Sequence, residues 1–393
     1  VRNRISHQHM RSHGSQAHID RLLRLADPEN PNVLTIGFAR RFATYKRATM
    51  LFQNLSWLKQ IVSDPERPVV FIFGGKAHPA DGPGQALIRR IAEVAAMPEF
   101  LGHILLVEGY DLRLARRLVS GSDVWLNNPV YPLEASGTSG MKAALNGVIN
   151  LSVLDGWWGE GYEGGAGHEN GWAIKPISSA YDAGVDEARR DYEEARTLYE
   201  LLQDKIVPMY YDRGPMGYSP GWVSIAKRSI ATITPRFNSV RMVGDYLGKF
   251  YAPATRQWRR LEASGMQGAR ELAAWKEKVR AAWPKIALRR IDDAQRRLGF
   301  GETLSFEVAV RLDGLQPSDI TVEMLWGRPN TKADSKPPRR FRLEHKGPMG
   351  NGEDLFALEL TPDVCGKIEY RIRAFPVHQL LTHPFEMGMM LWL

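Results

Sequence analysis

Between residues 33 and 154 the sequence alternates short apolar runs with amphipathic stretches, and this alternation constrains the fold more than any other feature. VLTIGFA, PVVFIFGG, HILLVEG, DVWLN and VINLSVL are rich in Val, Ile, Leu and Phe. Between them, YKRATMLFQNLSWLKQIV, GQALIRRIAEVAA, LRLARRLVSG and SGMKAALNG repeat apolar residues at helical spacing. Strands apolar on both faces, joined by helix-length segments, predict βαβ units and a buried parallel sheet. Right-handed crossovers then give a doubly wound, Rossmann-like layer structure. Ligands of such sheets lie beyond the carboxyl ends of the strands. The polar stretches that follow the strands are therefore the candidates for chemistry: RRFATYKR, GGKAHPADGPG, EGYDLR, NNPVYPLEASGTSG and DGWWGEGYEGGAGHENG.

The rest of the chain has a different texture. Residues 1–31 read as a helical segment already in progress, expected to continue from an N-terminal domain that this chain lacks. Residues 32–253 make the Rossmann-like domain with trailing helices, and 254–285 a helical linker. From 286 to 393 short runs such as TLSFEVAVRL, ITVEMLWG and KIEYRIRAF alternate apolar and polar residues between turn signals. That pattern predicts a small antiparallel β-sandwich, whose aromatic residues read as core rather than as a carbohydrate platform. No apolar run approaches the roughly 20 residues of a membrane helix. The single cysteine, Cys365, leaves no internal disulfide framework or cysteine-rich metal site and suits a reducing cytoplasm. A net charge of +8 with clusters such as RLARRL and PPRRFRLEHK reads as solvated faces. No nucleic-acid module accompanies them, and a cationic balance also suits small anionic ligands. His9 and His13, four apart, read as a solvated helix rather than as metal ligands. The expectation is therefore no metal, no nucleic acid and no membrane, with a homo-oligomer left open.

Two loops carry most of the chemistry. Arg40, Arg41 and Lys46 put three cations within seven residues at a strand end and helix start. Backbone N–H groups there favour anions, and guanidinium adds planar bidentate donors for phosphate. A solvated basic patch is the alternative. In EASGTSGMKAALNG, Ser136, Gly137, Thr138, Ser139 and Gly140 supply hydroxyls and permissive backbone at a helix N-terminus, which suits a phosphate cradle. Lys142 is expected in the first turn of that helix. The dipole there disfavours a cation, so a neutral or covalently engaged lysine makes sense of the placement. The alternative is a capped helix with an exposed lysine. Lys76 and His78 stand at another strand end. Asp155 with Trp157 and Trp158 suits a sugar ring stacked on an aromatic face, with interdomain packing of the two tryptophans as the equal alternative.

Together these motifs resemble the α-glucan (glycogen or maltodextrin) phosphorylases, a pyridoxal-phosphate family of GT-B fold. EASGTSGMKAALNG resembles the family's cofactor-lysine segment, RRFATYKR its phosphate-handling loop and FIFGGKAHP its GGKA-P turn. LDGWWGEGYEGG and the closing THPFEMGMMLWL resemble the shorter bacterial and archaeal branch, which ends in an extra β domain. The likeness runs from about residue 30 to 250 and rests on general character beyond that. It implies that Lys142 tethers pyridoxal 5′-phosphate, that Thr138, Ser139 and Arg40 contact its phosphate, and that Tyr110 lines its ring. Arg41 and Lys46 would hold the substrate phosphate, and Glu134, Ser136 and Gly137 the glucosyl hydroxyls. Arg40 stands where the longer enzymes have lysine, Ala43 and Thr44 where they have histidine and glutamate, and Ser139–Gly140 where they have glycine–asparagine. The implied reaction is reversible phosphorolysis of a terminal α-1,4-linked glucose to glucose 1-phosphate with retention, the cofactor phosphate serving as general acid and base. A sugar-nucleotide transferase of the glycogen synthase type is the rival, since it would share Arg41 and Lys46; a non-catalytic glucan-binding fragment is the other. The isolated chain is expected to be weakly active or inactive.

Overall fold

The computed structural model describes residues 1–177, 186–293, 299, 301–327, 337–363 and 366–393, so Cys365 lies outside it. The chain forms two units, Val1–Met242 and Val243–Leu393.

In the first unit two helices, α1 (Arg2–Arg11) and α2 (Gln16–Leu23), precede the sheet. The strands are β1 (Leu34–Ala39), β2 (Val69–Gly74), β3 (Ile104–Val107), β4 (Val124–Asn127), β5 (Ile149–Val153) and β6 (Trp172–Ile174). They lie in the order β3-β2-β1-β4-β5-β6, and every neighbouring pair is parallel. Helices α3 (Leu55–Val62), α4 (Gly82–Ala95), α5 (Leu112–Gly121), α6 (Thr138–Leu145), α7 (Trp157–Gly161), α8 (Glu187–Leu201), α9 (Val207–Tyr211) and α10 (Pro220–Ile233) follow and intervene, and α11 (Ser239–Tyr246) spans the boundary between the two units. Side chains alternate across the sheet. Ile36, Phe38, Phe71 and Phe73 join Leu58, Ile61, Ile91 and Val94 of α3 and α4 in one core. Val70, Ile72 and Leu105 join Ile5, Ile19 and Leu22 of α1 and α2, with Leu114 and Leu118 of α5, in the other. Strands covered on both faces have to be apolar throughout, which is why they read as continuous runs.

Several helices of the first unit begin on a capping side chain. Ser15, Asn54, Asp81 and Asp111 accept hydrogen bonds from the backbone N–H groups of His18, Trp57, Gly84 and Leu114, satisfying donors that a helix end leaves free. Helix α6 starts instead from Gly137 in a left-handed conformation (φ 82°), which supplies no side-chain cap.

The second unit opens with α12 (Ala252–Ala282), interrupted at Ala263–Met266 by non-helical backbone. Eight strands follow: β7 (Ala287–Arg290), β8 (Leu304–Arg311), β9 (Ile320–Gly327), β10 (Arg339–Arg342), β11 (Glu344–Gly350), β12 (Glu353–Leu360), β13 (Glu369–Pro376) and β14 (Leu391–Trp392). They form two four-stranded antiparallel sheets, β10-β9-β13-β14 and β11-β12-β8-β7. Phe306, Val308 and Val310 from one sheet meet Val322, Met324 and Ile372 from the other, with Leu272, Trp275 and Val279 of α12. The α/β sheet with trailing helices and the antiparallel sandwich are both as the sequence pattern leads one to expect.

Candidate functional site

Because β1 lies at the centre of the sheet, the winding runs out through β2 and β3 and then reverses to β4, β5 and β6. The reversal opens a crevice beyond the carboxyl ends of β1 and β4, where ligands of doubly wound folds sit. Arg40 leaves the end of β1, its backbone N–H still bonded to Gly74 O at 3.0 Å. Lys46 follows six residues later, and Glu134 stands beyond β4. All three are buried. Glu134 Oε2 accepts from Lys46 Nζ and lies 3.5 Å from Arg40 Nη1, so two cations share one carboxylate oxygen. Lys46 Nζ also sits 4.6 Å from the centre of the Tyr45 ring. Glu134 is fixed from below by Asp155, at the end of β5: Asp155 Oδ2 accepts the Glu134 N–H and Oδ1 the Gly156 N–H, each at 2.9 Å.

Burial sets the electrostatics. It lowers Arg40 to about 10, against the pull of Glu134, Tyr45 and Tyr110, so Arg40 keeps its charge near neutrality. Its Nε is buried without a hydrogen-bond partner among the described residues. Burial pushes the Asp155 carboxyl up, opposed by the two N–H groups it accepts from. The half-buried Tyr110 is raised in the same way, opposed by Arg40; it packs on the end of β2, where a Cβ on Gly74 would come within 3.2 Å of its ring.

Helix α6 brings its N-terminus to the same edge. A Cβ on Gly140 would fall 2.6 Å from Asn150 Oδ1 and 2.9 Å from the Trp157 indole. Only a hydrogen fits there, and Asn150 Nδ2 donates to Gly140 O at 3.1 Å. With no side-chain cap, the first-turn N–H groups of Thr138 and Ser139 are left for an outside acceptor. Lys142, exposed, lines a cleft of about 680 Å³ with Leu112, Arg113, Arg116 and Arg117 of α5 and with Asn146.

The structure corrects the turn expected for Lys142 and places the other candidates. Lys142 lies in the last turn of the eight-residue α6. The helix starts at Thr138, so the dipole favours a cation at 142 and the argument from an awkward dipole falls. Arg41 is exposed, unlike its buried neighbours Arg40 and Lys46. Ser139 Oγ accepts from Trp125 Nε1 at 3.1 Å, while Thr138 is exposed. Ser136 contributes its carbonyl, which accepts the Trp157 N–H at 2.9 Å. Trp157 and Trp158 are buried against Ile233 and Phe237 and offer no face to a sugar. Lys76 and His78 are exposed, and His78 Nδ1 accepts from Ala80 N–H. His13 falls beyond α1 in a left-handed turn, and His9 packs on His18 instead. Among the described residues no three His, Cys, Asp or Glu side chains are grouped to hold a metal ion, and no helix is long and apolar enough to cross a membrane. The residue that sequence reasoning passes over is Arg47. It donates to Asn128 O and Pro129 O and pairs with Asp191 and Glu194, partners more than 80 positions away.

The first unit is thus a doubly wound parallel α/β domain that gathers two buried cations and one carboxylate at its switch point, beside a helix without a side-chain cap. Comparison with known sequences narrows this class. Residues 30–202 match the carbohydrate phosphorylase family and residues 283–393 the glycogen phosphorylase C-terminal domain; the chain belongs to the carbohydrate phosphorylases. It is 43% identical over 366 residues to the maltodextrin phosphorylase of Thermococcus litoralis, covering 92% of this chain and 41% of that protein. It is 40% identical over 367 residues to the glycogen phosphorylase of Mycobacterium tuberculosis, covering 93% and 42%. With the glycogen phosphorylase of Aquifex aeolicus it shares 51% identity over 221 residues, 56% of this chain and 30% of that protein. The chain thus spans about two fifths of the length of the first two relatives.

Proposed function

We propose that this chain forms the phosphate- and cofactor-handling part of a cytoplasmic α-glucan phosphorylase. The enzyme would transfer the terminal α-1,4-linked glucose of glycogen or maltodextrin to inorganic phosphate, giving glucose 1-phosphate with retained configuration. The observation that carries this reading is the sharing of Glu134 between Arg40 and Lys46 at the reversal of the sheet. The names of the relatives support it.

The residues fit pyridoxal 5′-phosphate. The free first-turn N–H groups of α6 and the unpartnered Arg40 Nε suit a phosphate monoester, and exposed Lys142 suits a carbonyl carbon. Arg40, Thr138 and Ser139 would hold the phosphate, Tyr110 would line the ring and Lys142 would tether it. Bound there, the group supplies a phosphate whose second pKa, near 6, suits proton exchange at neutral pH.

The protein's own groups do the rest. Lys46, with Arg41, holds the incoming phosphate, and its pairing with Glu134 is partly exchanged for that anion. Glu134, freed on one side, accepts a hydroxyl of the terminal glucose, with the Ser136–Gly137 backbone beside it. Asp155 keeps the Glu134 backbone in place meanwhile. The C1–O4 bond breaks with its electron pair on O4, which ends with the proton that the incoming hydrogen phosphate brought, and a phosphate oxygen bonds to C1 on the face the glucan left.

Borohydride reduction of the protein with pyridoxal phosphate, followed by peptide mapping, tests this. A phosphopyridoxyl group on Lys142 alone is expected. Equal labelling of exposed lysines such as Lys76, or none at Lys142, would overturn the cofactor assignment and revive the sugar-nucleotide transferase.

A further inference from the structure

Directly after Lys46 the chain does something costly. Arg47 adopts a left-handed backbone conformation, φ 49° and ψ 48°, which a long side chain seldom takes without compensation. The compensation is a knot of bonds on its guanidinium. Nε donates to Asn128 O at 2.9 Å and Nη2 to Pro129 O at 2.8 Å. Nη1 donates to Asp191 Oδ1 at 2.9 Å and Nη2 to Glu194 Oε2. The return bond runs from Asn128 Nδ2 to Arg47 O at 2.8 Å. Glu194 is fully buried, and its second oxygen accepts the Ile177 N–H at 3.3 Å.

The partners identify the task. Lys46 precedes Arg47 by one residue. Asn128 and Pro129 begin the segment that runs from β4 to Glu134, and α8 supplies the two carboxylates. One side chain therefore ties together the two sheet-end segments that carry the opposite charges of the site, and anchors both to a helix. A fork of rigid donors can serve acceptors on three elements at once, which a single ammonium cannot. Arg47 makes no contact with Glu134, Arg40 or Lys46 side chains in the bonds described, so it acts through backbone placement.

We propose that Arg47, held by Glu194 and Asp191, is a positioning residue that sets the spacing between Lys46 and Glu134 and so keeps the anion site formed before ligand arrives. The inference rests on the phosphorylase reading for what enters the site, but the geometry it claims is measurable without that reading.

The test is native-state acylation of lysines by acetic anhydride, mapped by mass spectrometry, with exposed Lys76 as internal reference. It is run on the whole chain and on Glu194→Gln and Arg47→Lys, with circular dichroism and thermal melting to confirm folding. Loss of a charged hydrogen bond in the knot is expected to raise Lys46 reactivity relative to Lys76 about tenfold. Arg47→Lys, which keeps the charge and loses the fork, is expected not to restore the parent value. Parent-like Lys46 reactivity in folded variants overturns the proposal, and so does unfolding of both variants, which would assign the knot to stability alone. Inorganic phosphate added to the parent chain reads the other question: protection of Lys46 supports the functional reading. Absence of protection counts against that reading while leaving the positioning result intact.

Discussion

Glu134 and Glu323 are buried carboxylates paired with arginine, one in each unit, and their surroundings could hardly differ more. Around Glu323 the arrangement is closed. Arg373 gives Nε at 2.8 Å and Nη2 to the same Oε1, and the rings of Phe375, Phe385 and Trp392 surround its guanidinium at 5.5, 4.9 and 5.5 Å. Around Glu134 two cations converge on one oxygen, Arg40 Nε has no hydrogen-bond partner among the described residues, and the nearby Asp155 is occupied by backbone N–H groups. A closed pair sealed by aromatic rings serves the fold. An open one, with positive donors to spare, is what the proposed phosphate site requires.

That contrast can be broken experimentally, and the largest effect is expected in the closed pair. Arg373→Met leaves Glu323 buried and unpaired, and should cost about 3–5 kcal/mol of unfolding free energy in a denaturant titration. Phosphate should recover none of it. Glu134→Gln should cost about 2–3 kcal/mol, because two buried cations lose their counter-charge. Here inorganic phosphate at a hundredfold its Kd should restore about 2.7 kcal/mol. Equal responses of the two variants to phosphate would erase the distinction between them.

Asp123 sharpens the comparison from the opposite edge of the parallel sheet. It stands at the start of β4, accepts the Thr35 N–H at 2.8 Å, and burial raises its pKa from 3.8 to about 6, despite hydrogen bonds from Thr35 and Tyr210. An acid with a raised folded pKa binds its proton more tightly when folded. Stability contributed by this group is therefore highest below pH 3.8, declines as pH rises to about 6, and is flat above that. Asp123→Asn should match the parent near pH 3.5 and exceed it above pH 6 by about 1–3 kcal/mol. A variant less stable than the parent at pH 7 would show that the carboxylate is a partner there and not a burden.

The same physics decides what was legible beforehand. Covered strands are apolar throughout, so β1 to β5 can be read straight from the text. Arg40, Lys46 and Glu134 can be read as well, because polar residues directly after such strands fall at one edge by construction. Arg47 lies in the same quoted stretch, but its meaning depends on Asp191 and Glu194, 144 and 147 positions away. No local spacing encodes that. Lys142 is legible as a residue and misread in its turn, since the start of α6 depends on the left-handed Gly137. Trp157 and Trp158 look like a platform only until Ile233 and Phe237 close over them.

The shared oxygen of Glu134 also bears on how the chain comes together. Its two cations lie 88 and 94 positions earlier, on the far side of the winding reversal, and β1 meets β4 only through the short register Ile36–Val124 and Gly37–Trp125. Pairings so distant in sequence close late relative to local helices and hairpins. Any species in which β2 and β3 have joined β1 but β4 has not would have a formed half-sheet and an open, water-exposed Lys46. The amine of that one lysine is thus a clock: the moment it falls silent to a pulse of reagent marks the joining of the two halves of the sheet.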